Sequence, residues 1–227
     1  MRILVTGGAG FIGSHLVDAV LAAGHEAIII DNLVTGQAEN INPRARFYEA
    51  DIRDAAAVTS LFERERPDVL IHQAAQLDVR RSVADPAYDA DVNIVGTLRL
   101  LQAGLENGLK KVIFASSGGA IYGDTEQMPT PETNSTEPIS PYGVSKLSIE
   151  RYLHYYQVVQ GLPYVALRYA NVYGPRQSAH GEAGGIAIFT ERLLRGEPAT
   201  IYGDGLNTRD YVYVGDVVEA NMRALAS

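Results

Sequence analysis

The sequence predicts an α/β fold built on a doubly wound parallel sheet, and three features predict it. Short apolar runs rich in Ile, Val and Leu alternate with longer segments of helical periodicity over the first two-thirds of the chain. A glycine-rich turn stands between the first of these runs and the first helix. Few linker residues separate the segments, as connections in a wound sheet require.

Taken in order, residues 2–6 (Arg-Ile-Leu-Val-Thr) form an apolar run ended by glycines, the pattern of a strand buried on both faces. Residues 11–23 carry a helical pattern that Gly24 stops. Residues 26–31 contain Ala-Ile-Ile-Ile and read as a second strand, with further strands at 46–50, 68–73 and 111–116. Helices are expected at 54–65 and 85–107, the latter opened by Asp85-Pro86 in the cap and first-turn positions. After Ser117 the texture changes. Residues 118–140 are rich in Gly, Pro, Thr and Glu and read as a surface loop; a helix follows at 141–160 and a strand at 163–169. From Asn171 onward, Gly174-Pro175, Gly184-Gly185 and Gly203-Asp204-Gly205 break the chain into short pieces, which points to a small second lobe. The expected division is 1–170 and 171–227.

Composition narrows the function. Of 227 residues, 46% are hydrophobic and 20% charged, an ordinary globular balance that excludes disorder. A formal net charge of −8 argues against a nucleic-acid or anionic-membrane partner, since both need a basic face. The absence of cysteine removes disulfides and thiolate metal sites, and the five histidines (15, 25, 72, 154 and 180) lack metal-ligand spacing, so no metal is expected. No run approaches a signal peptide or membrane span, and a cytoplasmic protein is expected.

The turn Thr6-Gly7-Gly8-Ala9-Gly10-Phe11-Ile12-Gly13 follows a strand and opens a helix, the context of a dinucleotide fingerprint on a Rossmann-type fold. Gly7 and Gly10 let the backbone approach a pyrophosphate, Gly13 lets the helix pack close, and the helix N-terminus presents free N–H groups. Glycines alone also suit a ligand-free tight turn. Asp31 tips the balance: it ends the second strand, where a carboxylate accepts hydrogen bonds from an adenosine ribose and repels a 2′-phosphate. NAD is therefore expected over NADP.

Pro141-Tyr142-Gly143-Val144-Ser145-Lys146 places a Tyr and a Lys at i, i+4, on one face near a helix start. A phenol with a pKa near 10 is a poor base at neutral pH, but an adjacent ammonium and a nicotinamide cation favour its phenolate. Tyr142 is then placed to take a proton from a sugar hydroxyl while the same carbon gives up hydride. Without context the pair would equally suit an exposed helical surface. The context is a serine-bearing strand end, Phe114-Ala115-Ser116-Ser117-Gly118-Gly119-Ala120-Ile121-Tyr122-Gly123, and a second strand exit, Leu167-Arg168-Tyr169-Ala170-Asn171-Val172-Tyr173-Gly174-Pro175.

These stretches, with Asn207-Thr208-Arg209-Asp210-Tyr211-Val212-Tyr213-Val214, resemble the extended short-chain dehydrogenase/reductase family and, within it, the UDP-glucose 4-epimerases. The resemblance implies catalytic roles for Ser117, Tyr142 and Lys146. It implies NAD contacts from Phe11, Ile12, Asp31, Asn32, Asp51, Ile52, the turn Gln73-Ala74-Ala75-Gln76-Leu77, and Asn93, with the Asp51 carboxylate accepting from the adenine amino group. Asn171 and Arg209 would hold the substrate diphosphate, Ile186 would join the substrate side, and Thr200-Ile201-Tyr202 would lie beside the uracil. It implies a homodimer through helices around 93–102 and 141–156, and a substrate lobe only partly represented in a chain of this length. Paired glycines after the serines leave Ser116 as a second candidate beside Ser117. Gly118-Gly119-Ala120 carries no acid where dehydratases and decarboxylases of this family place one, so C4 epimerisation through a 4-keto sugar fits what is present. Uronate epimerisation is the nearest alternative, and an NAD-binding protein with little activity is the alternative of a different class.

Overall fold

The computed structural model describes residues 1–179 and 184–227. Its elements in order are β1 (Arg2–Thr6), α1 (Phe11–Ala22), β2 (Glu26–Asp31), β3 (Arg46–Glu49), α2 (Ala55–Glu65), β4 (Val69–His72), α3 (Val79–Ala84), α4 (Pro86–Ala90), α5 (Gly96–Glu106), β5 (Lys111–Ser117), α6 (Pro141–Gln160), β6 (Tyr164–Tyr169), β7 (Asn171–Tyr173), α7 (Gly185–Leu194), β8 (Tyr211–Tyr213) and α8 (Val214–Ala226). The main sheet has the order β3-β2-β1-β4-β5-β6, with every pairing parallel. This is the doubly wound order that reverses between β1 and β4, and ligands bind outside the carboxyl ends of the strands at such a reversal.

The strands read as apolar runs because both faces are covered. Ile3 and Val5 face α1 and α8, packing with Leu16, Val17, Val20, Ala224 and Leu225. Leu4, between them, faces the opposite layer, where Phe62 of α2, Leu100 and Leu101 of α5, and Ile149 and Leu153 of α6 meet. At about 25 cal/mol per Å² of apolar surface, these fully buried side chains supply most of the drive to fold.

Local chemistry fixes the helix starts. Asp54 caps α2 by accepting from the Ala56 and Ala57 amides, and Ser140 caps α6 by accepting from Gly143, with Pro141 at the first position. The helix expected over 85–107 is α4 and α5 joined by a π turn, Asp91–Val95, which contains Asn93. Helix α3 was not expected: Asp78 caps it through the Arg81 amide.

Beyond Asn171 the chain divides. β7 and β8 form a separate two-stranded parallel sheet. α8 returns to pack on α1, β5 and β6, adding its apolar stripe to the main core.

Candidate functional site

The turn after β1 and the turn after β4 meet at the sheet's reversal point. Gly7 has a φ of +67°, and a Cβ there would come within 2.9 Å of the Ala74 amide nitrogen. A Cβ on Gly13 would reach 2.1 Å from the Gly7 carbonyl oxygen. Both positions therefore need glycine for close backbone approach. Gly10 donates its amide to the Gly7 carbonyl at 3.1 Å and stands at the cap of α1. The first amides of α1, at Phe11, Ile12 and Gly13, precede the first intrahelical bond and face the crevice end of the sheet. The Phe11 ring meets His15 edge-on, and Ile12 packs against the α1 face of the core.

Asp31 is 8% exposed, and its carboxylate accepts from the amides of Ala9 (3.0 Å) and Leu33 (2.9 Å). Each oxygen keeps a second lone pair for a ribose hydroxyl. Asp51 is different. Its oxygens accept from the Arg53 amide, Nε and Nη2 and from Asn32 Nδ2, at 2.8 to 3.0 Å. The Arg53 side chain holds Asp51 far below the usual carboxylate range. These four bonds fill its acceptor sites, so the expected bond from an adenine amino group needs Arg53 to swing away. Ile52 is buried and packs against Gly96.

A continuous buried network sets the turn after β4. The Thr6 hydroxyl accepts from the amides of Gln73 and Ala74, both at 3.1 Å, and donates to His72 Nδ1 at 2.6 Å. His72 Nε2 donates to Thr97 Oγ1 at 2.7 Å, and Thr97 donates to the Asn93 carbonyl at 2.6 Å. These directions require neutral His72, and burial, aided by the Lys146 charge, pulls its pKa down to about 3. Asn93 spends its amide on the Gln76 backbone, accepting from its N–H and donating to its carbonyl, both at 2.9 Å. It therefore fixes the turn. Gln73 Nε2 donates to the Tyr169 hydroxyl at 3.2 Å; Ala75 is half-buried and Leu77 exposed.

The strand-end serines point opposite ways, as neighbours on a strand must. Ser116 is buried and donates to Glu150 Oε1 at 2.5 Å, beside the Arg168–Glu150 ion pair at 2.7 Å. Ser117 is half-buried and faces the Tyr142 phenol, whose ionised form its hydroxyl favours. Burial pushes that phenol up to about 12; the Asp89 charge adds to the rise and the Ser117 hydroxyl opposes it. Lys146 is 4% exposed, donates to the Ala115 carbonyl at 2.9 Å, and lies 5.7 Å from the Tyr142 ring centroid. Burial pulls its ammonium down to about 8, opposed by Asp89. The sequence expectation that an ammonium and a nicotinamide cation favour the phenolate concerns the cofactor-bound site; in the protein alone desolvation raises the phenol, with Asp89 adding to the rise.

Asp89 escaped the sequence reading. It is fully buried and accepts from Gln76 Nε2 and Asn93 Nδ2, both at 3.0 Å, and from Ser145 Oγ at 2.7 Å. Its helical spacing of four from Asn93 was the available signal.

The substrate-side candidates lie in the segment after β6. Asn171 donates its side-chain amide to the Asp210 carbonyl at 2.9 Å, and Arg209 donates to the Thr208 carbonyl at 2.7 Å; both are exposed. Thr200 accepts from Arg192 at 3.2 Å, Ile201 and Tyr202 are exposed, and Ile186 is half-buried on α7. Arg209 therefore stands as an exposed surface cation beside β8, with its fork open to an anion. Among the described residues no cluster of His, Cys, Asp or Glu is arranged to hold a metal; His180 lies outside them.

The model of the NAD dependent epimerase/dehydratase family matches residues 3–227. The UDP-glucose 4-epimerase of Mycolicibacterium smegmatis is 49% identical over 229 residues, covering 99% of this chain and 73% of that protein. Among solved structures, the UDP-glucose 4-epimerase of Thermotoga maritima with UDP-glucose superposes with a TM-score of 0.97 at 54% identity, over 99% of this chain and 73% of its own. The Thermus thermophilus UDP-glucose 4-epimerase in complex with NAD gives 0.96 at 52% identity, over 100% of this chain and 75% of its own. A match over nearly the whole length settles the lineage: the chain belongs to the NAD dependent epimerase/dehydratase family.

Proposed function

We propose that this protein is an NAD-dependent epimerase that inverts C4 of a UDP-hexose, interconverting UDP-glucose and UDP-galactose. The observation that carries the reading is the grouping of Ser117, the Tyr142 phenol and buried Lys146 at the carboxyl end of β5. The absence of any acid in Gly118-Gly119-Ala120 favours epimerisation over dehydration.

The residues fit NAD. Gly7, Gly10 and the α1 amides of Phe11, Ile12 and Gly13 suit a pyrophosphate, because the close approach at Gly7 and Gly13 leaves no room for a Cβ. Asp31 suits the adenosine ribose, Asn32, Asp51 and Ile52 the adenine side, and the turn from Gln73 to Gln76, fixed by Asn93, the opposite wall. Tyr142 and Lys146 suit the nicotinamide ribose. When bound, NAD supplies the hydride acceptor and a positive ring charge that favours the phenolate. Tyr142 takes the proton from the C4 hydroxyl and later returns it, Ser117 hydrogen-bonds the same oxygen, and Lys146 holds its charge against both. Asn171, Ile186, Thr200, Ile201, Tyr202 and Arg209 form the sugar-nucleotide side. In this reading residues 1–170 serve the cofactor and 171–227 the substrate.

We further propose a homodimer working in the cytoplasm. Val144, Tyr152, Tyr155 and Val159 form an exposed apolar stripe along α6, next to exposed Val95, which supports pairing through these helices. Among the described residues no helix is long and apolar enough to cross a membrane. The functional test is incubation with UDP-glucose and NAD, followed by NMR of the sugar. Appearance of UDP-galactose is expected; a 4-keto-6-deoxy sugar, or no conversion, overturns the assignment.

A further inference from the structure

Asp89 is a fully buried carboxylate that the proposed reaction does not use. Its partners come from three directions: Gln76 from the cofactor-side turn, Asn93 from the π turn before α5, and Ser145 from α6, between Tyr142 and Lys146. Three neutral donors satisfy its hydrogen bonds but supply no opposite charge, and a buried charge without one is costly. The buried cation nearby is Lys146, whose own hydrogen bond goes to the neutral Ala115 carbonyl. Around Lys146 stand Phe114 and Ala115 from β5, His72 from β4, Tyr142 on its own helix, and Asp89 from α4. Of these only Asp89 is an acidic side chain, and the His72 network requires a neutral ring.

We propose that Asp89 is a positioning residue for the Tyr142–Lys146 pair, tying α6 to the cofactor turn through Ser145 and Gln76 while serving as the counter-charge to the Lys146 ammonium. The role rests on the proposed reaction, in which Lys146 acts charged. The Asp89 effect on both groups points the same way: it favours protonated Lys146 and opposes ionised Tyr142. A carboxylate here thus holds the resting site in its protonated form until a cation binds beside the phenol.

Charge and geometry can be separated. In Asp89→Asn the amide oxygen keeps the bonds from Gln76 and Asn93, and the new NH₂ donates to Ser145. The Ser145 hydroxyl then turns its proton to the preceding helical turn. All three links survive and the charge is gone. The chain has three lysines, and Lys110 and Lys111 place their ammonium groups at exposed bonds with Asp68 and Ser227, so NMR of ¹³C-labelled lysine resolves buried Lys146 directly. Wild-type Lys146 is expected to titrate near 8, and Asp89→Asn to lower that midpoint by about one unit. An unchanged midpoint overturns the proposal. If Asp89→Asn does not fold, the variant carrying both Asp89→Asn and Lys146→Met decides: recovery of folding supports a counter-charge, and continued failure shows a purely structural anchor. The titration needs no sugar substrate. A chain that shows the shift yet converts no UDP-glucose contradicts the proposed reaction and leaves Asp89 as the partner of Lys146.

Discussion

Replacing Tyr142 by Phe removes one oxygen and leaves the ring, the helix and Lys146 in place. The structure sets the size of the effect. With the phenol near 12, about one molecule in 10⁵ carries a phenolate at pH 7 before cofactor binds. Reaching the ionised state there costs about 7 kcal/mol with the Ser117 contribution already included, so a neighbouring positive charge must offset it. The sign matters: burial raises this pKa, so basicity is strong but the base is scarce until a cation arrives. Tyr142→Phe removes the proton acceptor altogether, and loss of a positioned acid–base group lowers turnover by about 10²–10⁴. NAD affinity should stay within about threefold, because the phosphate, ribose and adenine contacts lie elsewhere. The assay is initial-rate conversion of UDP-glucose, with NAD binding measured separately by calorimetry. A Tyr142→Phe enzyme within about tenfold of wild type refutes the reasoning, as would a loss of rate explained by loss of NAD.

Further outcomes follow from the same geometry. Ser117→Ala should slow turnover by at least about tenfold, whereas Ser116→Ala, whose hydroxyl bonds Glu150, should cost far less; initial rates of UDP-glucose conversion separate them. Asp31→Ala should weaken NAD and improve NADP, more so when Asp31→Ser is combined with Asn32→Arg; NADP binding the unaltered protein as tightly as NAD contradicts the role of Asp31. His72 has a folded-state pKa near 3 against 6.5 when unfolded, so its stabilisation is complete above 6.5 and is lost as pH falls toward 3. At pH 5 that loss is about 2 kcal/mol, and urea unfolding of His72→Gln should show a correspondingly flatter dependence between pH 7 and 5.

The strands were legible because both faces of the main sheet are covered, which leaves apolar runs such as Ile28-Ile29-Ile30 with no competing reading. Gly24 and the Asp54 and Ser140 caps marked helix ends for local reasons that need no tertiary context. The shorter elements were not legible. Val79–Ala84 is too short to show a period, and β7 and β8 are three residues each. Helix α8 has a readable stripe at Val214, Val217, Asn221 and Leu225, but its return to α1 is a long-range packing choice that no local pattern states. At the site, Tyr142, Lys146 and the glycine turn stood out by spacing. The sequence left Ser116 and Ser117 as alternatives because they differ only in which face of β5 they take, which no local pattern states. Asp89 and the raised Tyr142 pKa of the protein alone were hidden for a shared reason. Both depend on burial, and burial is decided by how α4, α5 and α6 close over the turn from Gln73 to Gln76.

In the proposed reaction hydride leaves C4 of the sugar and returns to that same carbon from the other face, with Tyr142 moving the hydroxyl proton. UDP-glucose carrying deuterium at C4 tests it directly, with NMR reading both the sugar formed and the label. UDP-galactose with deuterium retained at C4 is the expected product. Loss of the label to solvent, its appearance at C6, or unchanged UDP-glucose contradicts it.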